Sequence, residues 1–450
     1  MSDQFREAGF QLVAPDNTAD VYIANTCTVT HIADRKSRHW LRLAKRKNPG
    51  ALIIGTGCYA QRAPWELGEL ADLVLDNGGK EHLLEIVKGL SLPAQIPSRL
   101  KREGKDEVEV KQSYFPNGLA RARSLVKIQD GCHSQCTYCI VPRVRPREYS
   151  VPVFQIVKEI EEKVSNGYKE VILTGTKIGC YKDAILSASE GSIVDLRGLV
   201  KQILDNIGVR RLRLSSLQPQ EISPEFLVLW QDSALSRSSE PKLRAKRGGS
   251  ERTSEGFRLC RHFHLALQSG SDAVLQRMRR GYSLRAYQKT MDLIRETIPE
   301  VAITTDIMVG FPEESDEEFE QSYHFCQEAG FANIHVFPFS PRPGTQAAKM
   351  PNQVKVKVKK ERTQRMLELA QNCRHSFCER FLGQTMPVLW EAETSLGDGV
   401  YSGLTDNYIR VFTQSKKPLT NKIVPVMLAR FHSQGMWGEL ISENPGQDKT

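Results

Sequence analysis

Apolar and polar residues alternate along the first ninety residues in a pattern that predicts short strands separated by helices. Three apolar runs that end in polar turns read as strands: DVYIANT (20–26), ALIIGTG (51–57) and ADLVLDN (71–77). Between the first two runs, Trp40, Leu41, Leu43 and Ala44 give a helix an apolar stripe. Residues 1–90 are therefore predicted to form an α/β domain, a small parallel sheet covered by helices.

A longer β/α series follows. Residues 91–124 are rich in proline and charge without a sustained period, which indicates a linker. Six strands are predicted in the domain 125–350: VKIQ (126–129), EVILTG (170–175), RLRLSS (211–216), FHLALQ (263–268), AITTDIMVG (302–310) and NIHVFPF (333–339). Helical stretches separate most of them; in Val153–Val164, Ile156 and Ile160 share one face. The series suggests a partial (β/α)6 barrel, or an open sheet of the same type.

Three further segments complete the predicted organisation. Residues 234–257 are rich in Ser, Arg and Gly, which predicts a disordered surface insertion; a tolerated insertion and an RNA-binding basic loop both fit. Residues 351–382 are predicted to form a connecting helix whose apolar side carries Leu369, Cys373, Phe377 and Phe381. Residues 383–441 alternate in the β manner and predict a short antiparallel domain, a small barrel.

Charge and targeting signals narrow the function classes. The formal net charge is +9, from 62 Lys and Arg against 53 Asp and Glu. Basic residues concentrate at 35–47, 120–123, 143–147 and 354–365. RNA is the natural partner for such a surface, although any single cluster could be a solvated helix face. No apolar run approaches the roughly 20 residues of a membrane span, and the N-terminus lacks a signal-peptide core, so we predict a cytoplasmic protein with no membrane partner.

The most informative chemistry lies in DGCHSQCTYC (130–139), which packs Cys132, Cys136 and Cys139 into eight residues. In a reducing compartment, clustered thiols indicate metal or catalysis rather than disulfides. The loop directly follows the first barrel strand, at the end where β/α barrels carry their chemistry. Three thiolates can hold three irons of a 4Fe–4S cube and leave the fourth iron open to chelate S-adenosylmethionine. The alternatives are unligated thiols, or zinc with His133 as a strained fourth ligand.

At this point the sequence resembles a known family. The segment GCHSQCTYCIVPRVRPREYS (131–150) is similar to the radical S-adenosylmethionine signature of the methylthiotransferases, and further family motifs resemble NTCTVT (25–30), GTGCYAQ (55–61), LALQSGSDAVLQRMRRGY (265–282), TTDIMVGFPEESDEEF (304–319) and SPRPGTQAAKM (340–350). The C-terminal strands resemble the TRAM domain, an RNA-binding barrel. Within the family, three segments look most like the MtaB type: REAGFQLV (6–13), NTCTVTHIADRKSR (25–38) and SPRPGT (340–345). That type installs a methylthio group at C2 of N6-threonylcarbamoyladenosine beside the tRNA anticodon.

The resemblance implies roles for individual residues. The thiolates of Cys132, Cys136 and Cys139 would hold the radical-generating 4Fe–4S cluster. The residues implied in binding S-adenosylmethionine, for which ordinary barrel packing is the alternative, are Tyr138, Thr174, Gly175, Gln268 and Ser269. Arg143 and Arg145 could grip either a cofactor carboxylate or an RNA phosphate. The implied partners are tRNA and an electron donor such as a flavodoxin or ferredoxin.

A second 4Fe–4S cluster is implied at the N-terminal domain, where it would supply sulfur. Cys27 and Cys58 each follow a predicted parallel strand and can therefore face one crevice. The family uses three cysteines there, and we expect the missing one to lie on a strand upstream of Met1. Cys180 is a conceivable substitute.

Other departures concern single residues. Burial as inert side chains is predicted for the remaining cysteines, Cys260, Cys326, Cys373 and Cys378. Glu313 replaces a second glycine of the family motif, which we expect to disturb a tight turn.

The predicted functions fall into three groups. The first is the tRNA methylthiotransferase described above. The second is a methylthiotransferase with a different substrate, either another tRNA adenosine or a ribosomal-protein side chain. The third is a non-catalytic RNA-binding protein that has lost the auxiliary cluster.

Overall fold

The computed structural model describes residues 1–14, 17–90, 122–184, 193–235, 258–394 and 396–441. The predicted linker (but for 122–124) and the predicted insertion (but for 234–235) lie outside this range. The chain divides into two compact units, and one of them unites the N-terminal residues with Gly131–Arg147 and Ser340–Lys349. The predicted barrel domain therefore contributes two segments, including the three-cysteine loop, to the N-terminal unit.

The first unit contains a three-stranded parallel sheet in the order β1-β2-β3. Its elements are α1 (Ser2–Glu7), β1 (Val21–Thr26), α2 (His31–Lys47), β2 (Leu52–Gly57), α3 (Cys58–Arg62), α4 (Pro64–Gly68), β3 (Leu73–Leu75), α5 (Leu83–Gly89) and, in the cysteine loop, α6 (Val141–Val144). Apolar side chains cover both faces of the sheet: Leu41 and Ile53 belong to the cluster on one side, and Phe5 and Ile54 to the cluster on the other. The predicted βαβα pattern is confirmed.

The second unit begins with two four-stranded sheets, ordered β5-β4-β6-β9 and β10-β11-β12-β13. The strands are β4 (Arg123–Asp130), β5 (Tyr149–Ser150), β6 (Glu170–Gly175), β9 (Arg211–Leu214), β10 (Ser216–Leu217), β11 (His262–Leu265), β12 (Ala302–Val309) and β13 (Asn333–Pro338). Between them lie α7 (Val153–Ser165), the hairpin β7 (Lys182–Ala184) and β8 (Ile193–Asp195), α8 (Leu196–Asn206), α9 (Pro224–Leu235), α10 (Asp272–Arg277), α11 (Leu284–Thr297) and α12 (Asp316–Glu328). Neighbouring strands pair in parallel, apart from β4 with β5 and the β7–β8 hairpin. The pattern is that of the predicted partial barrel.

The C-terminal part of this unit is a closed five-stranded barrel in the order β14-β15-β16-β18-β17. It follows α13 (Val356–Glu379) and consists of β14 (Thr385–Glu393), β15 (Val400–Thr405), β16 (Arg410–Gln414), β17 (Ile423–His432) and β18 (Gly435–Leu440). The prediction of a wholly antiparallel domain was wrong in one respect, because β16 and β18 pair in parallel to close the barrel.

Buried arginines of the α/β barrel join it to the small barrel. Arg211 donates to the carbonyls of Leu404 (2.9 Å) and Pro387 (2.6 Å). Arg213 pairs with Glu170 at 2.7 Å and donates to the carbonyl of Asp406 at 3.0 Å. The two barrels of this unit therefore share a buried, charged junction.

Candidate active site

The two N-terminal cysteines emerge at the same edge of the first sheet. Strands β1 and β2 pair in register, and Thr26 lies opposite Gly57 at their carboxyl ends. Cys27 directly follows β1, and Cys58 directly follows β2 as the first residue of α3. Gly57 has a φ of 99°, and a Cβ there would lie 2.5 Å from the carbonyl oxygen of Thr26. The close approach therefore requires glycine. Both cysteines follow the carboxyl ends of paired strands, with Cys27 exposed and Cys58 half-buried, and a crevice shared by the two thiols stays a prediction.

The three-cysteine loop belongs to the same unit as Cys27 and Cys58. It opens at Gly131, whose φ is 77°. The Sγ of Cys132 accepts a hydrogen bond from the backbone of Ser134 at 3.4 Å, and the Cys139 amide donates to the Cys136 carbonyl at 3.1 Å. All three cysteines are half-buried. The loop therefore keeps all three thiols partly accessible and gives one sulfur a backbone donor.

The donor set fits a cluster better than a single ion. Among the described residues, no three His, Cys, Asp or Glu side chains are arranged to hold one metal ion. In a 4Fe–4S cube each thiolate binds a different iron, so the ligands need not converge on one atom. The His133 ring lies 2.9 Å from the carbonyl of Pro146, so its Nε2 is engaged with the backbone rather than placed as a fourth zinc ligand. Three soft thiolates without a fourth ligand fit a 4Fe–4S cluster.

Arg145 and Arg143 have partners that sequence spacing did not predict. Nε of Arg145 donates to Sγ of Cys58 at 3.3 Å. The Arg143 guanidinium packs closely against Gly344. A Cβ atom added at Gly344 would lie 3.1 Å from the guanidinium. The sequence offered a cofactor carboxylate or an RNA phosphate for these two side chains. The structure instead places one on the Cys58 thiol and the other against the 340–349 segment.

A buried arginine network next to Cys27 was missed entirely. Arg342 is 1 % exposed, and its Nη2 donates to Thr28 Oγ1 at 2.8 Å and to the carboxylate of Asp34. Arg62 donates to the same Thr28 hydroxyl at 2.8 Å. Since Thr28 follows Cys27, the network fixes the turn that carries the thiol. The only sequence signal was the SPRPGT motif, to which no role had been assigned.

The other residues predicted to bind S-adenosylmethionine, apart from Tyr138, lie in the second unit. Thr174 and Gly175 end β6, and a Cβ on Gly175 would lie 2.7 Å from the Gln129 carbonyl, so close strand packing requires glycine. Gln268 and Ser269 were expected to end the fourth strand, but β11 ends at Leu265. Both residues instead lie in the loop that follows the strand.

The two loop residues differ in their bonding. Gln268 has a φ of 75°, and its buried Oε1 has no hydrogen-bond partner among the described residues, as expected of a group awaiting a ligand. The Ser269 hydroxyl instead meets that of Ser322 at 3.1 Å, which suits a packing role. Tyr138 is half-buried on the cysteine loop, and its role stays a prediction.

The remaining cysteines behave as buried thiols. Burial raises the pKa of Cys260 to about 12 and that of Cys378 to about 11. Cys326 is fully buried, and Cys373 is partly exposed with a pKa raised by burial to about 11. At Cys180, burial again raises the thiol pKa, despite the nearby Lys177 ammonium. A raised pKa disfavours the thiolate that a metal needs.

Two expectations about local structure need correction. Trp40 was placed in the buried stripe of α2, but its side chain is 50 % exposed, while Leu41 and Ala44 are buried. Glu313 was expected to disturb its turn. The turn is kept, with Glu313 at a φ of 66° and its amide donating to Asn352 at 3.1 Å. The position thus demands a left-handed backbone, for which glycine is the usual residue.

Comparison with known proteins defines the class. Residues 1–76 match the uncharacterized protein family UPF0004, and residues 126–213 and 253–326 match the Radical SAM superfamily. The chain belongs to the radical S-adenosylmethionine methylthiotransferase family. In the described part of the chain, no helix has both the length and the apolar character needed to cross a membrane.

Particular relatives cover nearly the whole chain. The threonylcarbamoyladenosine tRNA methylthiotransferase MtaB of Bacillus subtilis is 32 % identical over 435 residues, 95 % of this chain and 89 % of the relative. MtaB of Aquifex aeolicus is 34 % identical over 434 residues, 95 % of each. A tRNA-2-methylthio-N(6)-dimethylallyladenosine synthase of Syntrophotalea carbinolica is 30 % identical over 444 residues, 96 % of this chain and 94 % of the relative.

Proposed function

We propose that this protein is a tRNA-modifying enzyme that installs a methylthio group at C2 of N6-threonylcarbamoyladenosine next to the anticodon. S-adenosylmethionine would serve as both radical source and methyl donor. The observation that carries the proposal is the near-full-length similarity to MtaB proteins of two organisms. The three-cysteine loop supports the chemistry, because an adenine C–H bond is inert to ordinary acid–base catalysis.

The cysteine loop supplies the radical site in this proposal. Cys132, Cys136 and Cys139 hold a 4Fe–4S cluster, which when bound supplies the electron that cleaves S-adenosylmethionine to a carbon radical. The hydrogen bond from the Ser134 amide to the Cys132 sulfur orients that ligand.

Residues of the barrel bind and orient the cofactor. The unpartnered Oε1 of Gln268 accepts a hydrogen bond from a hydroxyl or amino group of S-adenosylmethionine. As the family resemblance implies, the backbone at Thr174 and Gly175 would bind the cofactor amino group and Tyr138 would contact its adenine. Ser269 contributes by fixing the loop through Ser322.

The second cluster is proposed at Cys27 and Cys58. The edge formed by β1 and β2 supplies two of the three thiolates that the family resemblance implies, so this donor set is one ligand short of a fit. Arg145 holds the Cys58 sulfur from the cysteine loop. We assign no reaction step to this site, and its iron content is left to measurement.

RNA and an electron donor are the proposed partners. The basic clusters and the TRAM-like barrel would hold RNA phosphates, while the target base is recognised in an unstacked loop. A flavodoxin or ferredoxin would deliver the electron. The compartment proposed for this chemistry is the cytoplasm.

One alternative substrate has a specific observation in its favour. The similarity to a dimethylallyladenosine synthase means that the family chemistry also serves another N6-modified adenosine. A ribosomal-protein side chain is less favoured by the net charge of +9. A non-catalytic RNA-binding protein would bind RNA without consuming cofactor.

The decisive experiment uses anaerobically prepared protein. Iron and sulfide analysis should give about eight irons per chain for two clusters or about four for one. Incubation with S-adenosylmethionine, a reductant, sodium sulfide as the source of the sulfur atom and tRNA carrying threonylcarbamoyladenosine should add the mass of a methylthio group to that nucleoside. Zinc in place of iron would overturn the cluster assignment. A mass gain only on a dimethylallyl-modified tRNA would overturn the assignment of threonylcarbamoyladenosine as the substrate.

A further inference from the structure

Helix α2 (His31–Lys47) exposes four cations and one indole to solvent. Arg35, Lys36, Arg42 and Arg46 are all exposed on it. The ring of Trp40, which the apolar pattern had assigned to the core, is 50 % exposed. We call these five residues the α2 surface.

The helix that carries this surface is held firmly. Its inner side buries Leu41 and Ala44 against the sheet. Its N-cap, Thr30, accepts a hydrogen bond from Ala33 at 3.1 Å. The buried carboxylate of Asp34 is gripped by Arg342 in its first turn. The α2 surface is therefore preorganised, which lowers the entropy cost of binding.

The charges of the α2 surface are not used within the protein. None of its four cationic side chains forms an ion pair or side-chain hydrogen bond in the part of the chain that the structure describes. Other cations of the same helix do have partners: Lys45 pairs with Asp72 at 3.1 Å, and Arg38 pairs with Glu66 at 3.6 Å. The cations without acidic partners are thus confined to the outward side.

The spacing of these side chains follows from helix geometry. Arg35, Arg42 and Arg46 fall in one row along the axis, with rises of about 10 Å and 6 Å between them. Lys36 and Trp40 lie one turn apart on an adjacent side of the helix, about 100–140° around the axis from Arg35. The helix thus exposes a line of charge and, on the adjacent side, a flat aromatic ring with one lysine beside it.

We propose that the α2 surface binds RNA, with its cations on phosphates and an unpaired base stacked on Trp40. This inference rests on the proposed function, which makes RNA the substrate. Arginine and lysine contacts to phosphates give affinity without sequence preference, and aromatic side chains are the usual platforms for splayed bases. An acidic protein such as an electron donor would also complement the cations, but an unpaired RNA base is the ligand that would stack on the exposed Trp40 ring as well.

The test compares two exposed tryptophans of the same unit. Trp65 on α4 is 69 % exposed and is followed by the acidic Glu66, so it is the matched control. Binding of a fluorescent anticodon stem-loop to the full-length, anaerobically purified protein is measured by anisotropy at several salt concentrations. Trp40→Ala should raise Kd about tenfold, within the range known for loss of one stacked base, whereas Trp65→Ala should leave it unchanged.

The charges are tested by the double variant Arg42→Gln/Arg46→Gln. Loss of two phosphate contacts should make the negative slope of log K against log salt shallower by about 1.4 to 1.8. Since these side chains have no intramolecular partners, circular dichroism should match the wild type. Equal affinity of the Trp40→Ala and wild-type proteins for RNA would overturn the inference. So would a double variant that loses binding to an acidic flavodoxin while keeping its RNA affinity.

The outcome separates this inference from the proposed function. If the Trp40→Ala protein modifies tRNA with an unchanged KM, the proposed RNA-binding role of the α2 surface is wrong and the enzyme assignment stands. If the binding pattern holds but the wild type adds no mass to any tRNA, the enzyme assignment fails alone.

Discussion

Replacing Asp406 by asparagine should destabilise the junction between the two barrels of the second unit. The Asp406 carboxylate is fully buried and accepts hydrogen bonds from Nε and Nη2 of Arg261 at 2.7 and 3.2 Å. Asparagine keeps the shape but leaves the buried guanidinium without its main counter-charge. Removing one partner of a buried ion pair costs about 3–5 kcal/mol. We expect about 3 kcal/mol, because Arg261 keeps Glu300 at 2.6 Å on its exposed side.

The assay is urea unfolding followed by tryptophan fluorescence, since the buried Trp230 and Trp390 report on the two barrels. Glu320→Ala is the matched control. Glu320 forms a two-pronged pair with Arg365 at 2.5 and 2.9 Å, but both side chains are more than 40 % exposed. An exposed pair contributes about 0–1 kcal/mol. If Asp406→Asn shifts the midpoint no more than the control does, the junction does not depend on this charge.

The same pair predicts how stability changes with acid. Burial opposes ionisation of Asp406, but hydrogen bonds and attraction from Arg261 outweigh it, so the pKa is held below its usual value. A depressed pKa gives stability that is present above the unfolded value of about 3.9 and is lost as pH falls through the folded value. The difference between the wild type and Asp406→Asn should therefore be constant at neutral pH and shrink below about pH 4.

Three further changes test the cysteine sites and one strained turn. Cys136→Ala should abolish 5′-deoxyadenosine formation while sparing RNA affinity, and retained cleavage would refute its ligand role. Arg342→Met leaves the buried Asp34 with only its longer contact to Arg62 at 3.4 Å, so hydrogen exchange at Cys27 and its neighbours should accelerate; unchanged exchange would remove this network as the anchor. Glu313→Gly should raise the free energy of unfolding by about 0.5–1 kcal/mol, as relief of left-handed strain exceeds the added unfolded-state entropy; a fall would contradict the turn assignment.

Strand positions could be predicted because their cause is local. Residues 170–175 were predicted as a strand and form β6 with the same bounds. The apolar residues Val171 and Leu173 alternate toward the covering helices, and this is visible in a window of six residues. The edge shared by Cys27 and Cys58 followed from the same logic, since parallel strands in register end together.

The side-chain partners of the arginines could not be predicted because their cause is global. Arg342 and Asp34 are 308 residues apart along the chain, and Arg145 and Cys58 are 87 apart. No periodicity encodes such pairs, which depend on how loops return to one sheet edge. The prediction that Trp40 is buried failed for a different reason. It sits at the margin of the apolar stripe, where a shift of one position decides between core and solvent.

The buried arginines limit what deletion of the small barrel could reveal. Arg211 and Arg213 are 2 % and 3 % exposed, and carbonyl groups of the small barrel accept hydrogen bonds from both. Removing that barrel would leave buried guanidinium groups with unsatisfied donors, a cost that falls on the α/β barrel itself. A truncated protein that loses RNA binding would therefore not show that the TRAM-like barrel contacts RNA. Point substitutions on exposed side chains avoid this ambiguity, because they leave the junction intact.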